Sequence, residues 1–532
     1  MVYDGSTLTI DGRPGPVTAA RFHYWQWPDP SAWPTVLHKL HSDGYDAVAI
    51  DLDWGYHSAR PGTYDFTGIR DLDTLFEDAA HERLYVAVDS GPYSGGGADA
   101  GGLPDWLLAH TAGDSALDAR YARESRGWLQ QVDAIVARHQ LNNGNGTIVL
   151  DRIEAGLLDN AAALERAARL AGVDVPFGSL PVARTYAGFP WGWTTAPKAY
   201  VDARGIDTVP VTPAKAVRWR MQRDDDEIAN GFEDQAWPPV MAARQFNPDA
   251  DDDDDTAPAG YRAKGNRFFG VDDYGFHHGA VWYRGHFTAS GNERTFTLSG
   301  TTGLDGAIGV WLNGAYLGNA VATSAGNVHA TLPIASSMLR RGRDNVLAVL
   351  FENAGHDADP KRDSSDAPGR GMFASALDPP TPIAWHVLGN GEYNVDARRG
   401  PLADGGLAGE IAGWQDPSYS DASWPFARLP FQTAHPGVTW YRANVSVETT
   451  LPAGRILALQ LDFAGNARYR AFVYCNGWLM AHIAAKSGDR RVVPLPANIV
   501  TNPGDNTLAV ALWILSGNGR VNPSYATLSG ER

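Results

Sequence analysis

The chain has 532 residues, 44% of them hydrophobic, more than one core accommodates, so about three or four domains are expected. Its net charge of −17 excludes a nucleic-acid surface, which needs clustered Lys and Arg. No run reaches the roughly 18 apolar residues of a membrane span, and a single cysteine, Cys475, excludes an intrachain disulfide.

The opening, MVYDGSTLTIDG, has neither the basic start nor the apolar core of a secretory signal, which together with the lone cysteine makes the cytoplasm the expected location. Positive charge is almost all Arg, a bias that fits a G+C-rich bacterial source. Short β-rich runs at Ala47–Leu52, Leu84–Asp89 and Thr147–Leu150 alternate with helical stretches at Ala32–Ser42, Leu72–Arg83, Asp114–His139 and Asn160–Gly172. Strand–helix alternation predicts parallel strands with right-handed crossovers, and a TIM-type (β/α) barrel is the leading architecture. The pattern stops near Arg204, short of the roughly 250 residues of a full barrel. A truncated or reshaped barrel over residues 1–205 is therefore expected, its exposed parallel edges covered by Trp191–Ala214, by a neighbouring domain or by the second subunit of a homodimer.

From about Ala214 the texture turns to short strands and Gly/Pro/Asn turns, and it repeats. WYRGHF (Trp282–Phe287) recurs as WYRANV (Trp440–Val445), and VWLNG (Val310–Gly314) as VYCNG (Val473–Gly477). GRDNVLAVL (Gly342–Leu350) recurs as GDNTLAVAL (Gly504–Leu512), and FEDQAW (Phe232–Trp237) as YSDASW (Tyr419–Trp424). Two copies of an all-β jelly-roll sandwich are predicted, over 206–380 and 381–532. The acidic run Asp249–Asp255 reads as a solvated loop.

Three stretches carry a family resemblance. FHYWQWPDPSAWPTVLHKLHSDGYDAV (Phe22–Val48), WGYHSARPGTYDFTG (Trp54–Gly68) and GPYSGGGADAGGLPDWLL (Gly91–Leu108) resemble the catalytic domain of family 35 glycoside hydrolases, the β-galactosidases. DDYGFHHGAVWYRGHF (Asp272–Phe287) is similar to the C-terminal jelly rolls of the larger fungal-type members. The resemblance implies a retaining mechanism with two carboxyl groups about 5–5.5 Å apart. Its acid/base is the second Glu of an E-N-E-Y stretch ending the fourth strand, which falls in LDRIEAGLL (Leu150–Leu158). One register puts Glu154 there, and two others put Ala155 or Gly156. No counterpart of the nucleophile strand precedes the β-rich half, where Glu227 and Glu233 are the only Glu residues before Trp237. The family's sugar-holding positions are occupied by Asp51, Ser58, Asp89, Gly95 and Gly97. Hydrolysis by the family mechanism is not expected; a residual β-galactosidase using Glu154 is the second alternative to the readings below.

Ligands bind at the C-terminal ends of barrel strands, and there the sequence puts acids, with aromatic residues on the adjoining loops. Asp51, Asp89, Asp151 and Glu154 are the candidate catalytic residues, crowded carboxylates forming a general acid/base pair. Tyr24, Trp25, Asp53, Trp54, His57, Tyr93, Tyr186 and Trp191 are the candidate substrate-binding residues, and Trp27, Tyr56, Phe189 and Trp193 add to the aromatic loops. Cyclisation, dehydration, isomerisation or a non-standard hydrolysis of a small or carbohydrate-like molecule is the enzymatic expectation, in a biosynthetic setting. No metal or organic cofactor is expected. The competing reading is structural: the acids pair with Arg70, Arg152 or Arg184, His23 and His57 are packing residues, and the protein is a glycan-binding or scaffold pseudo-glycosidase. Trp311, Trp478 and Trp513 would then be its sugar-facing aromatics.

Overall fold

The computed structural model describes residues 1–94 apart from 6, 17, 27–29, 31–32 and 59–60, then 102–104, 107, 114–154, 161–186, 201–202, 208–211 and 217–240. It continues over 269–353 apart from 272–273, 275, 277–278, 304–305 and 324–325, and over 370–389. It ends with 406–529 apart from 434, 448–454, 496–498 and 502–503. The acidic run 249–255 and most of Trp191–Ala214 lie outside these residues. The chain forms two compact units, one built on residues 1–195 and the other carrying the sandwiches.

The first unit is the expected (β/α) fold, cut short. Five parallel strands, β1 (Ala19–Phe22), β2 (Ala47–Asp51), β3 (Tyr85–Pro92), β4 (Ile148–Glu154) and β5 (Val182–Tyr186), lie in the order β4-β3-β2-β1-β5. Helices α1 (Trp33–Ser42), α2 (Leu72–His81), α3 (Asp114–His139) and α4 (Ala161–Leu170) follow β1, β2, β3 and β4. Local chemistry sets their starts: Asp71 precedes α2 and accepts from the Thr74 amide at 3.0 Å, an N-cap.

One segment reaches both sides of the sheet. The Asp151 amide of β4 bonds Pro176 O at 3.1 Å and Gly178 N bonds Asp151 O at 2.7 Å, while Ala19 of β1 bonds Pro181 O at 2.9 Å, where β5 begins. Residues 176–178 thus pair with β4 at Asp151, and residues 181–186 run along the outer edge of β1. Five strands enclose a narrow bore, and the buried Ala19, Ala47, Ala49 and Ala87 fill it with Leu8, Leu150 and Leu180. Beyond Asp151, toward the C-terminal ends, no ladder joins β4 to β5 among the described residues.

The second unit contains two antiparallel sandwiches. In the first, a sheet ordered 315–321, 307–312, 344–353, 279–288, 384–388 faces one ordered 269–270, 371–378, 295–301, 327–333. In the second, 220–224, 437–447, 504–516, 468–475, 478–486 faces 208–211, 519–529, 455–465, 490–495, 201–202. Strand pairing departs from the expected division at residue 206 and residue 381. Thr208–Val211 and Arg220–Asp224, expected in the first sandwich, pair with strands of the second, and Ala384–Leu388, expected in the second, pairs with Gly279–Thr288. Edge strands go wherever unpaired amides await them, which local composition does not encode.

The repeat has a physical content. Asn313 and Asn476 of the two N-G turns take φ of 54° and 52°, the left-handed region that Asn tolerates. Their side-chain amides bond Asn345 and Asn506 of the D-N motifs, each at 2.8 Å. The Arg of each W-Y-R pairs with the Asp preceding each repeat: Arg284 with Asp234 at 2.6 Å, Arg442 with Asp421 at 3.2 Å. Trp311 and Trp513 are buried, which corrects their proposed role as sugar-facing aromatics. Trp478 is half-buried.

Candidate functional site

Paired residues in a parallel sheet project to the same face. The ladder sets Asp51 of β2 beside Asp89 of β3, and Asp89 beside Arg152 of β4, one row above Arg21, Ala49, Ala87 and Leu150. The top of the bore is therefore a charged layer. Arg21 Nε lies 3.0 Å from Asp51 Oδ2, with His23 Nε2 3.3 Å from the same oxygen. Arg152 Nε donates to Asp89 Oδ2 at 2.8 Å, and its Nη1 lies 2.9 Å from Glu154 Oε2. Asp51 and Asp89 are buried, whereas the side chains of Arg21, Arg152 and Glu154 are 27, 34 and 41% exposed, so this layer meets solvent at the mouth. Burial pushes the Asp89 carboxyl well above the ordinary range, Arg152 opposes the push and Asp51 adds to it.

Of the four candidate catalytic acids the structure brings three together. Asp151 is the exception: one residue from Arg152, it points to the opposite face, between the sheet and α3. There it accepts from Ser90 Oγ at 2.7 Å, and Asp133 of α3 is its charged neighbour. Burial raises both carboxyls to about 7, and Asp151 adds to the shift of Asp133.

The candidate substrate-binding residues are mostly structural. Asp53 caps the one-turn helix Trp54–His57, accepting from the Tyr56 amide at 2.9 Å. His57 donates from Nδ1 to Asp65 O at 2.8 Å and accepts the Tyr24 hydroxyl at Nε2 at 2.5 Å. Burial lowers its pKa to about 3, so the ring is neutral. Tyr24, Trp54 and His57 belong to a buried aromatic cluster in which Trp54 stacks on Trp128 at 6.0 Å and His57 on Phe66 at 4.8 Å. Trp25 is buried against His23 at 4.8 Å. Tyr24, Trp25, Trp54 and His57 are thus packed in the core, while His23 also contacts Asp51. Tyr93 is buried, its amide bonding Glu154 O at 3.3 Å. Tyr186 ends β5, where the backbone alone is described, and Trp191 lies outside the described residues together with Trp27, Phe189, Trp193, Ala155 and Gly156.

Two participants escaped the sequence reading. Arg21 stands two residues before His23 on a four-residue strand, too short for its alternation to register. Asp133 lies amid Trp128, Leu129, Val132 and Val136 on the buried face of α3, and an acid within an apolar helical stripe was its signal. Chemically, the mouth offers three carboxylates and two guanidinium groups, and each carboxylate has a guanidinium contact. Such planar groups hydrogen-bond adjacent hydroxyls in pairs, but a retaining displacement needs an unencumbered nucleophile opposite a separate acid.

Comparison with known proteins bears on the family and the fold. Residues 7–173 match the family described as glycosyl hydrolases family 35, and residues 248–357 and 409–518 each match the beta-galactosidase second all-beta domain. Beta-galactosidase A of Aspergillus niger is 32% identical over 333 residues, covering 60% of this chain and 31% of that protein. Probable beta-galactosidase C of Penicillium rubens is 33% identical over 259 residues, 46% of this chain and 25% of that one. The chain thus spans about a third or less of the length of the curated relatives it matches. Among solved structures, exo-beta-1,4-mannosidase Op5Man5 from Opitutaceae bacterium strain TAV5 overlaps 33% of this chain and 34% of its own, at 16% identity and a TM-score of 0.25, too slight a likeness to carry weight.

Proposed function

We propose that this divergent relative of the family 35 glycosyl hydrolases binds a galactoside-like carbohydrate at its barrel mouth without cleaving it. The observation that carries the reading is the sharing of Arg152 between Asp89 and Glu154. Glu154, which one register seats at the acid/base position, is tied up in an ion pair, and the sequence offers no counterpart of the nucleophile, while the same cluster presents acceptors and donors to sugar hydroxyls. Asp51 and Asp89 stand where the family's sugar contacts are expected, and both are held in ion pairs. The test combines calorimetric titration with galactose and lactose and a nitrophenyl β-galactoside assay. Saturable binding with no turnover supports the reading. Ordinary glycosidase rates, or no binding of either sugar, would refute it.

One observation favours a second reading, acid/base chemistry on a small molecule. Asp89 is driven toward its protonated form by burial, and the half-exposed Glu154 beside it would serve as the base. Under that reading Asp89→Asn abolishes a measurable turnover; under the first it alters binding alone.

A further inference from the structure

We propose that Asp234, His286 and His386 of the first sandwich form a binding site for a divalent transition metal ion, with zinc the best match to the donor set. One ligand atom from each lies within 4.8 Å of the other two. His286 Nε2 is 2.9 Å and His386 Nδ1 3.8 Å from the Asp234 carboxylate, which they approach through different oxygens. Two imidazoles and one carboxylate suit zinc and leave a fourth position for water or a ligand.

Three further observations point the same way. Asp344 Oδ2 lies 2.9 Å from His286 Nδ1, the carboxylate–histidine arrangement that orients a ligating ring and turns Nε2 toward a metal. His386 Nδ1 is buried and without a hydrogen bond, 3.8 Å from Asp234 Oδ1. The second sandwich supplies an internal control. It keeps the equivalent Arg442–Asp421 pair, yet Asn444 stands where the first has His286, so the ion pair does not require the histidine. In the first sandwich Arg284 Nε occupies Asp234 Oδ2 and leaves Oδ1 facing His386. The ion would tie together the loop carrying Asp234 and the strands Gly279–Thr288 and Ala384–Leu388. His386 also lines a groove of about 700 Å³ bounded by Pro239, Val240 and Trp385, which gives the site a route to solvent.

The test uses the full chain, stripped with a chelator and titrated with zinc against a chromophoric competitor. One zinc per chain is expected, with affinity falling at least about tenfold in His286→Ala and His386→Ala and by about 10–100-fold in Asp344→Asn. Zinc should also shield His286 and His386 of the wild-type chain from diethyl pyrocarbonate, read by peptide mass spectrometry, which needs no variant to fold. No zinc binding, binding unchanged in the double histidine variant, or no shielding of these two rings would overturn the site.

Discussion

Arg152 holds Asp89 and Glu154 at once, with Nε 2.8 Å from Asp89 Oδ2 and Nη1 2.9 Å from Glu154 Oε2. One guanidinium therefore links two neighbouring strand ends. The second of those ends is where one register would seat a glycosidase acid/base. The arrangement also gives the buried Asp89 a charged partner above the apolar Ala87 and Leu150.

Replacing Arg152 with Gln should destabilise the first unit by about 2 kcal/mol, less than a fully enclosed pair would cost, because the guanidinium keeps contact with water. Sugar binding should weaken with it. In the double variant Arg152→Gln/Asp89→Asn much of the stability should return, since no uncompensated charge remains. Urea midpoints check both; additive losses would contradict the pairing.

Asp133 and Asp151 give a pH dependence of known sign. Their folded pKa values, about 7, lie above the unfolded carboxylate value, so their contribution to stability is intact below about pH 4 and is lost as pH rises through 7. Asp133→Asn should flatten that slope and stabilise the first unit at pH 8 by more than about 1 kcal/mol. Urea unfolding at pH 5, 6.5 and 8 measures it.

The two repeat ion pairs should differ in cost. Arg284 and Asp234 are both buried, whereas Asp421 is partly exposed. Arg284→Met should cost less than the roughly 3–5 kcal/mol of a buried charge left wholly unpaired, because His286 still contacts Asp234, and Arg442→Met less again. Equal losses in thermal or urea unfolding would argue against burial as the cause.

Glu352 of the first sandwich accepts from Arg470 Nε of the second at 2.9 Å, and His482 pairs with its other oxygen. The Arg470 and His482 side chains together hold the Glu352 carboxyl below its ordinary value against the effect of burial. Arg470→Met should uncouple the sandwiches and split one calorimetric transition into two. A single transition shifted downward would mean that apolar contacts alone couple them.

Much of the architecture was legible locally. Hydrophobic periodicity located β2, β3, β4 and all four helices to within a few residues, and the duplicated W-Y-R and N-G motifs announced two like sandwiches, because each element's pattern reflects its own buried face. The family resemblance, too, rested on contiguous stretches. What the tertiary structure alone decided was pairing and direction. Asp151 and Arg152 are adjacent, and only the ladder, with its irregularity between Val86 and Ala87, puts Arg152 in the bore and Asp151 behind the sheet. A one-residue change of register exchanges the faces. The aromatic residues before and after β2 looked equally suited to a ligand or a core; packing against Trp33 and Tyr56 made Tyr24 core, and packing against Trp128 and Phe66 did the same for Trp54 and His57. Residues 176–178 meet β4 and 182–186 pair with β1, while 208–211 and 220–224 serve the distant sandwich. The hydrogen-bond partners of both lie far away in sequence, where no local pattern records them.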